Sequence, residues 1–367
     1  MRATAPIVLC AVLSTILIVQ AQRPPTSGDN KSLADVAREL RQKKASAGAE
    51  AAPAGIPPVQ NSVETQESYR LEISQHLAND DFSRLEQAAD KARSDKSRFS
   101  GGVWKLYVFY EGVSKPLGGD AASDAAWQAH IAKIRRWGSA YSQSITAQVA
   151  LAEAYYSYGW SARGTGYSNT VSDDGWKLMN ERVEIARRTL VEAASLTAKC
   201  PHWYAAMQLV ALAQGWDKAK ARALLERAVA FEPGYYHFYR EYANYLLPRW
   251  FGEDGEAEAF AEEVSNGVGG KEGAFLYFEI ATVLNCLCKG EDHLTTMSWP
   301  QIKKGYAALE ELYGTSNPKR NRFAMMATKA PDKPAAQLMF AQIGNDWDAG
   351  TWYKRSAFEN AKAWAMQ

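Results

Sequence analysis

A chain of 367 residues with 47% apolar content is long enough to bury a sizeable core, as one long helical array or as two or three domains. Its 42 basic and 41 acidic residues leave a formal net charge of +1, so the totals give neither the basic footprint of a nucleic-acid binder nor an acidic tail.

Arg2 precedes an apolar run from Pro6 to Val19, followed by Val19-Gln20-Ala21 with small residues where signal peptidase reads them. This predicts a secretory signal peptide over residues 1–21, cut after Ala21. The run is shorter than the roughly 18 to 20 apolar residues that span a bilayer, so no stable membrane span is expected after cleavage. The mature chain is then exported, to the periplasm or out of the cell. Cys10 lies inside the apolar run and is not the first residue of a lipoprotein. Of the remaining cysteines, Cys200, Cys286 and Cys288, at most one pair can bridge within a monomer, and three buried thiols fit equally well.

Residues 22–64 are rich in Pro, Ala, Ser, Gly and charge, with too few large apolar groups to offset the entropy of ordering. A flexible leader is expected there, with a marginal helix carrying Leu33, Val36 and Leu40. Residues 65–367 read as one helical domain. Tyr69, Ile73 and Leu77, then Leu85, Ala89 and Ala92 after Asp80-Asp81, predict a first helix pair. Gly101-Gly102 breaks the chain, Val103 to Gly112 is an apolar helix, and Trp127, Ile131 and Ile134 set the face of the next. Breaks are expected at Pro116 to Gly119 and at Gly138. No stretch alternates with period two long enough to argue a sheet.

The middle of the chain repeats. Ala186, Leu190 and Ala193 recur 35 residues later as Ala221, Leu225 and Ala228, and each set leads to a proline, Pro201 or Pro233. This resembles the second-helix signature of the tetratricopeptide repeat, in which small residues let two helices approach and a proline closes the unit. Leu151, Ala152 and Tyr155 fit a first helix, as do Tyr239, Tyr242, Ala243 and Leu246. The fold expected is all-α, with antiparallel tetratricopeptide-like pairs stacked into a curved α-solenoid. Pro300, Asn317-Pro318 and Lys333-Pro334 open further helices, and Trp347, Trp352 and Trp364 are placed to cover the last core face.

Ser161-Ala162-Arg163-Gly164-Thr165-Gly166-Tyr167, followed by Thr170-Val171 and Gly175-Trp176, resembles the central segment of a bacterial family known as domain of unknown function 4034. Gly234-Tyr235-Tyr236, Tyr245-Leu246-Leu247-Pro248-Arg249-Trp250 and Ala341 to Trp352 resemble its later blocks, over roughly residues 65–365. The resemblance implies a tetratricopeptide-like fold and no assigned activity or catalytic residues.

Three places carry candidate ligand contacts. The loop from Arg163 to Gly175 holds Arg163 and Tyr167 beside Asp173 and Asp174. It is either a ligand-contacting insertion with Arg163 as an anion clamp, or a connection in which Asp173 or Asp174 caps a helix starting at Trp176. Arg249 and Trp250 sit at a turn before Gly252-Glu253-Asp254-Gly255, where the indole could stack on a ligand or pack in the hinge while Arg249 pairs with Glu253. In the register set by Tyr242 and Ala243, the residues His237, Arg240 and Asn244 turn towards the concave face. Glu153 and Tyr156 hold comparable places in the earlier copy. Cys200-Pro201-His202 and Cys286-Leu287-Cys288 with His293 supply zinc-type ligands without the spacing of a structural site, so no metal and no cofactor is expected.

No nucleophile-elbow, phosphate-loop or zinc-protease motif is present in the sequence. The expected function is an exported helical-repeat module that binds a protein or peptide on its concave face, more readily than it is an enzyme. The alternative is a secreted α/α-toroid enzyme acting on a polysaccharide, suggested by 12 Trp and 18 Tyr and needing two carboxyl groups about 5 to 9.5 Å apart in an aromatic cleft.

Overall fold

The computed structural model describes residues 65–164, 166, 168–284 and 296–367. The expected signal peptide and leader, Cys10, Tyr167, Cys286, Cys288 and His293 lie outside the described residues.

Among the described residues there are sixteen α-helices and no strand. In chain order they are α1 (Gln66–Ala78), α2 (Phe82–Asp95), α3 (Lys105–Val113), α4 (Asp124–Ala140), α5 (Ile145–Arg163), α6 (Asp173–Ala193), α7 (Pro201–Ala213) and α8 (Lys218–Phe231). There follow α9 (His237–Tyr245), α10 (Glu256–Val268), α11 (Gly270–Leu284), α12 (Trp299–Tyr313), α13 (Asn317–Lys329), α14 (Lys333–Ile343), α15 (Ala349–Trp352) and α16 (Arg355–Met366). Local chemistry sets most of their starts. Ser123, Ser144, Ser172, Asp217, Ser298 and Asp332 each accept a hydrogen bond from the backbone N–H three residues on, and Pro201, Pro300, Pro318 and Pro334 occupy first turns, where no N–H is needed.

The helices stack as an α-solenoid of neighbouring pairs. Along one layer α1, α3, α5, α7, α9 and α11 pack each on the next, while α6, α8, α10 and α12 back them as the second members of pairs. The repeated Ala186, Leu190 and Ala193 on α6, and Ala221, Leu225 and Ala228 on α8, are all buried. Close approach recurs at Gly305 on α12, where an added Cβ would stand 2.4 Å from the Ala274 carbonyl oxygen and 2.7 Å from the Phe278 Cβ on α11. At the end of the array Trp352 is buried and donates its indole N–H to Asn321 Oδ1 at 2.8 Å, with Trp347 and Trp364 packed beside the core.

Two expected boundaries differ. Gly138 does not break the chain but lies in the last turn of α4, because Trp127, Ile131, Ile134 and Trp137 bury one face of that helix and outweigh the roughly 1 kcal/mol cost of a helical glycine. The helix expected to begin at Trp176 begins at Asp173. Ser172 caps it by accepting from the Gly175 N–H at 3.1 Å, and Asp173 and Asp174 are first-turn acids facing the positive end of the helix.

The turn of the solenoid is tight enough for distant connections to meet. Between α2 and α3, Arg98 donates to the Gly234 carbonyl at 2.8 Å and Trp104 donates to the same oxygen at 3.0 Å. Lys96 pairs with Glu232 at 2.5 Å, and the Arg98 guanidinium lies 4.5 Å over the Tyr313 ring. The Gly101 N–H donates to the Gly314 carbonyl at 3.2 Å. Gly101 and Gly102 have φ of 85° and 80°, in the region open to glycine. These contacts draw the N-terminal ends of α3, α9 and α13 together and close one end of the concave face.

Candidate functional site

The closed end is a floor of stacked rings and paired charges. Tyr107 of α3 stacks on His237 of α9 with centroids 3.8 Å apart, and Tyr110 stacks on His202 of α7 at 4.1 Å. His202 lies 2.7 Å through Nε2 from Glu153 Oε1 and 2.5 Å through Nδ1 from the Tyr235 hydroxyl. Cys200 is a buried free thiol, 3.4 Å from the Tyr110 hydroxyl.

His237 was expected to line an open groove, but it is only 4% exposed and stacks on Tyr107 on one side and Tyr236 on the other. The sequence register turns it inward as anticipated; the curvature that brings α3 against α9 then covers it. Burial, with Arg240, His202, Lys319 and Arg98 nearby, holds its pKa well below the usual histidine range, so it is neutral near pH 7.

Arg240 also has a settled partner. It donates to Glu279 Oε2 at 2.9 Å, to the Glu279 carbonyl at 2.9 Å and to the Thr282 hydroxyl. Lys319 of α13 pairs with the other oxygen of Glu279 at 2.5 Å. Glu279 has no exposed surface, and burial draws Lys319 down to about 8. This triad ties α9, α11 and α13 together, so Arg240 is a fastening before it is a ligand contact. A lone Glu in the apolar run of α11 was the available signal for this anchor.

Alongside the floor residues Tyr107, Glu153 and Arg240, helices α3, α5 and α9 carry further polar and aromatic side chains. Tyr107 and Glu111 lie one turn apart on α3. Glu153, Tyr156 and Trp160 form a stripe on α5, and Glu241 and Asn244 lie beside Arg240 on α9. Tyr156, Trp160, Glu241, Asn244 and Trp250 are half-buried and Glu111 is exposed. Trp160 and Trp250 meet edge to face with centroids 5.9 Å apart, joining the end of α5 to the turn after α9. Neither indole N–H has a hydrogen-bond partner among the described residues.

Glu111 and Glu241 make no hydrogen bond or ion pair among the described residues. Desolvation raises both carboxyls to about 7. For Glu111, Arg70 opposes the rise and Glu153 adds to it; for Glu241, Arg240 opposes and Glu153 adds. Glu111 is exposed, while the protein around it desolvates its carboxyl. Glu153 acts on Tyr107, Glu111, Tyr156 and Glu241 alike, so its carboxylate is the charge these four side chains share. Sequence spacing points to Glu153 and Tyr156 but not to Tyr107, Glu111 or Glu241. A single carboxylate one turn from a tyrosine in the apolar helix Val103 to Gly112 was the usable clue.

The remaining candidates are local. Arg163 donates to the Gly164 carbonyl at 3.1 Å and the Gly166 carbonyl at 2.9 Å, and its guanidinium lies 5.0 Å over Trp160 and 5.1 Å over Trp176. It pins its own loop to the helix ends. Arg249 donates to Asn244 Oδ1 at 3.1 Å, and Glu253 faces Lys218 at 3.9 Å. No cluster of three or more His, Cys, Asp or Glu side chains able to hold a metal occurs among the described residues.

No family model, curated protein or solved structure matches the chain. No helix among the described residues is long and apolar enough to cross a membrane.

Proposed function

We propose that this protein is an exported binding module that takes a segment of peptide chain into the mouth between α3, α5 and α9. The observation that carries the reading is the pair of unpartnered carboxylates, Glu111 and Glu241, among the accessible rings of Tyr107, Tyr156, Trp160 and Trp250. Desolvated charges without partners cost stability in the free protein, and a bound chain that supplies donors offsets that cost. Inner faces of helical-repeat arrays are suited to extended segments, since successive helices offer side chains at regular intervals. Membership of the domain of unknown function 4034 family and export through the signal peptide belong to the same proposal.

The test is selection of a random-peptide display library on the chain from Gln22 onward, repeated with Tyr156→Ala and Glu111→Gln. Peptides held by the parent and weakened at least tenfold by either variant support the reading; an empty selection, or peptides indifferent to both changes, removes it. Arg240→Glu is unsuited to this test because it strands the buried Glu279.

A second reading has one specific observation in its favour. Carboxyls held at about 7 beside aromatic rings suit a general acid for glycoside cleavage. Reducing ends released from a polysaccharide panel by the parent, and lost in Glu111→Gln or Glu241→Gln, would install this reading in place of the first.

A further inference from the structure

Glu241 also lines a small crevice between α7, α8 and α9, together with Gln208, Leu224, Tyr242 and Tyr245. Gln208 is 7% exposed, and its amide is fixed because Nε2 donates to the Phe238 carbonyl at 3.1 Å. Its Oε1 has no hydrogen-bond partner among the described residues. A buried acceptor without a donor is uncommon, and here it shares a crevice with a half-buried carboxylate that makes no hydrogen bond or ion pair among the described residues. Neighbouring cations are already engaged: Arg222 binds Glu226 and Glu263, Lys218 binds Glu256, and Arg240 binds Glu279.

Two acceptors without donors call for a group that brings several N–H bonds and a positive charge. The crevice has room for about one water-sized group. An ammonium meets all three demands, with three donors on a compact centre. A guanidinium is planar and wider, and a trimethylammonium carries no N–H. The rings of Tyr242 and Tyr245, stacked with centroids 5.8 Å apart, supply apolar surface for an alkyl stem.

We propose that this crevice is a site for a primary ammonium, the tip of a lysine side chain in the bound peptide, held by the Glu241 carboxylate and Gln208 Oε1. The assignment rests on the peptide-binding reading and names the residue type it selects.

Calorimetric titration of the full chain with N-acetylated, C-amidated trilysine tests it, beside the triarginine, tri(trimethyl-lysine) and triglutamine counterparts. Trilysine is expected to bind at least tenfold more tightly than the other three. Glu241→Gln should lose at least tenfold and Gln208→Leu at least threefold. Glu192→Gln, on an exposed stretch of α6, should change nothing. Glu241→Gln is isosteric, and an unchanged far-ultraviolet circular-dichroism spectrum certifies its fold. Trilysine no tighter than triarginine or the trimethylated peptide, or binding untouched by Glu241→Gln, overturns the site. If the display library yields peptides that lack lysine but depend on Tyr156, the binding module stands and the ammonium site falls. If the library yields nothing while trilysine binds through Glu241, the ammonium site stands and peptide recognition falls.

Discussion

The floor and the mouth of the concave face use the same residue types in opposite ways. At the floor, Glu153 meets His202 and Glu279 meets both Arg240 and Lys319, so every carboxylate there has a partner within 3 Å. At the mouth, Glu111 and Glu241 have none among the described residues. Charges that are paired out of water fasten helices together, while charges that are desolvated and unpaired hold a free-energy deficit that a ligand can relieve. On the function proposed above, the floor holds the fold and the mouth takes the ligand.

The sharpest way to break that contrast is at the floor. Glu279→Ala leaves Arg240 and Lys319 buried without a counter-charge and should cost about 3 to 5 kcal/mol, seen as a lower urea midpoint with an unchanged slope. A loss under about 1 kcal/mol would mean that the triad is not a fastening. Next in size is a purely steric change away from both regions. Gly305→Val forces side-chain carbons into the Ala274 carbonyl and Phe278 and should cost about 1 to 3 kcal/mol in the same assay, showing how tightly the layers must approach.

At the mouth the expected effect has the opposite sign. Glu241 has a folded pKa of about 7, raised above its unfolded value, so its contribution to stability is fully present below about pH 4.3 and is lost as pH rises through 7. Glu241→Gln should therefore stabilise the ligand-free protein at pH 8 by about 1 to 2 kcal/mol after allowance for partial solvation, and leave it unchanged at pH 4. A thermal melt at the two pH values checks this. Trilysine binding should strengthen from pH 6 to 8 as Glu241 ionises. Glu111 from α3, Glu153 from α5, His202 from α7 and Arg240 on α9 are the charged or titratable groups that act on this space. The smallest effect belongs to the rim. Arg163→Ala removes two hydrogen bonds to its own loop and should change stability by under about 1 kcal/mol, yet speed proteolysis between Gly164 and Ser172.

The helices were legible because their signals are local. The period of Tyr69, Ile73 and Leu77, the prolines at 201, 300, 318 and 334, and the 35-residue recurrence of Ala186, Leu190 and Ala193 each act within a turn or between neighbouring helices. The same local period underlies the expectation that Glu153, Tyr156, Arg240 and Asn244 turn inward, and it carries no information on the partners that Glu153 and Arg240 meet in His202 and Glu279. The site was only half legible. Whether an inward residue meets solvent, a ring or a counter-charge depends on the curvature of the array, and curvature sums small rotations over many helix pairs.

The sequence by itself determined an all-α chain, its pairing into a solenoid and the faces its helices turn inward, since propensity, capping and apolar spacing are short-range. Only the tertiary structure decided that His237 is sealed against Tyr107, that Arg240 is spent on Glu279, and that Glu111 and Glu241 are left without partners. Each of those facts requires helices far apart in sequence, α3 with α9 and α9 with α11 and α13, to be brought within a few ångströms, and pairwise contact at that range is set by the closing of the array through Arg98, Trp104 and Gly234.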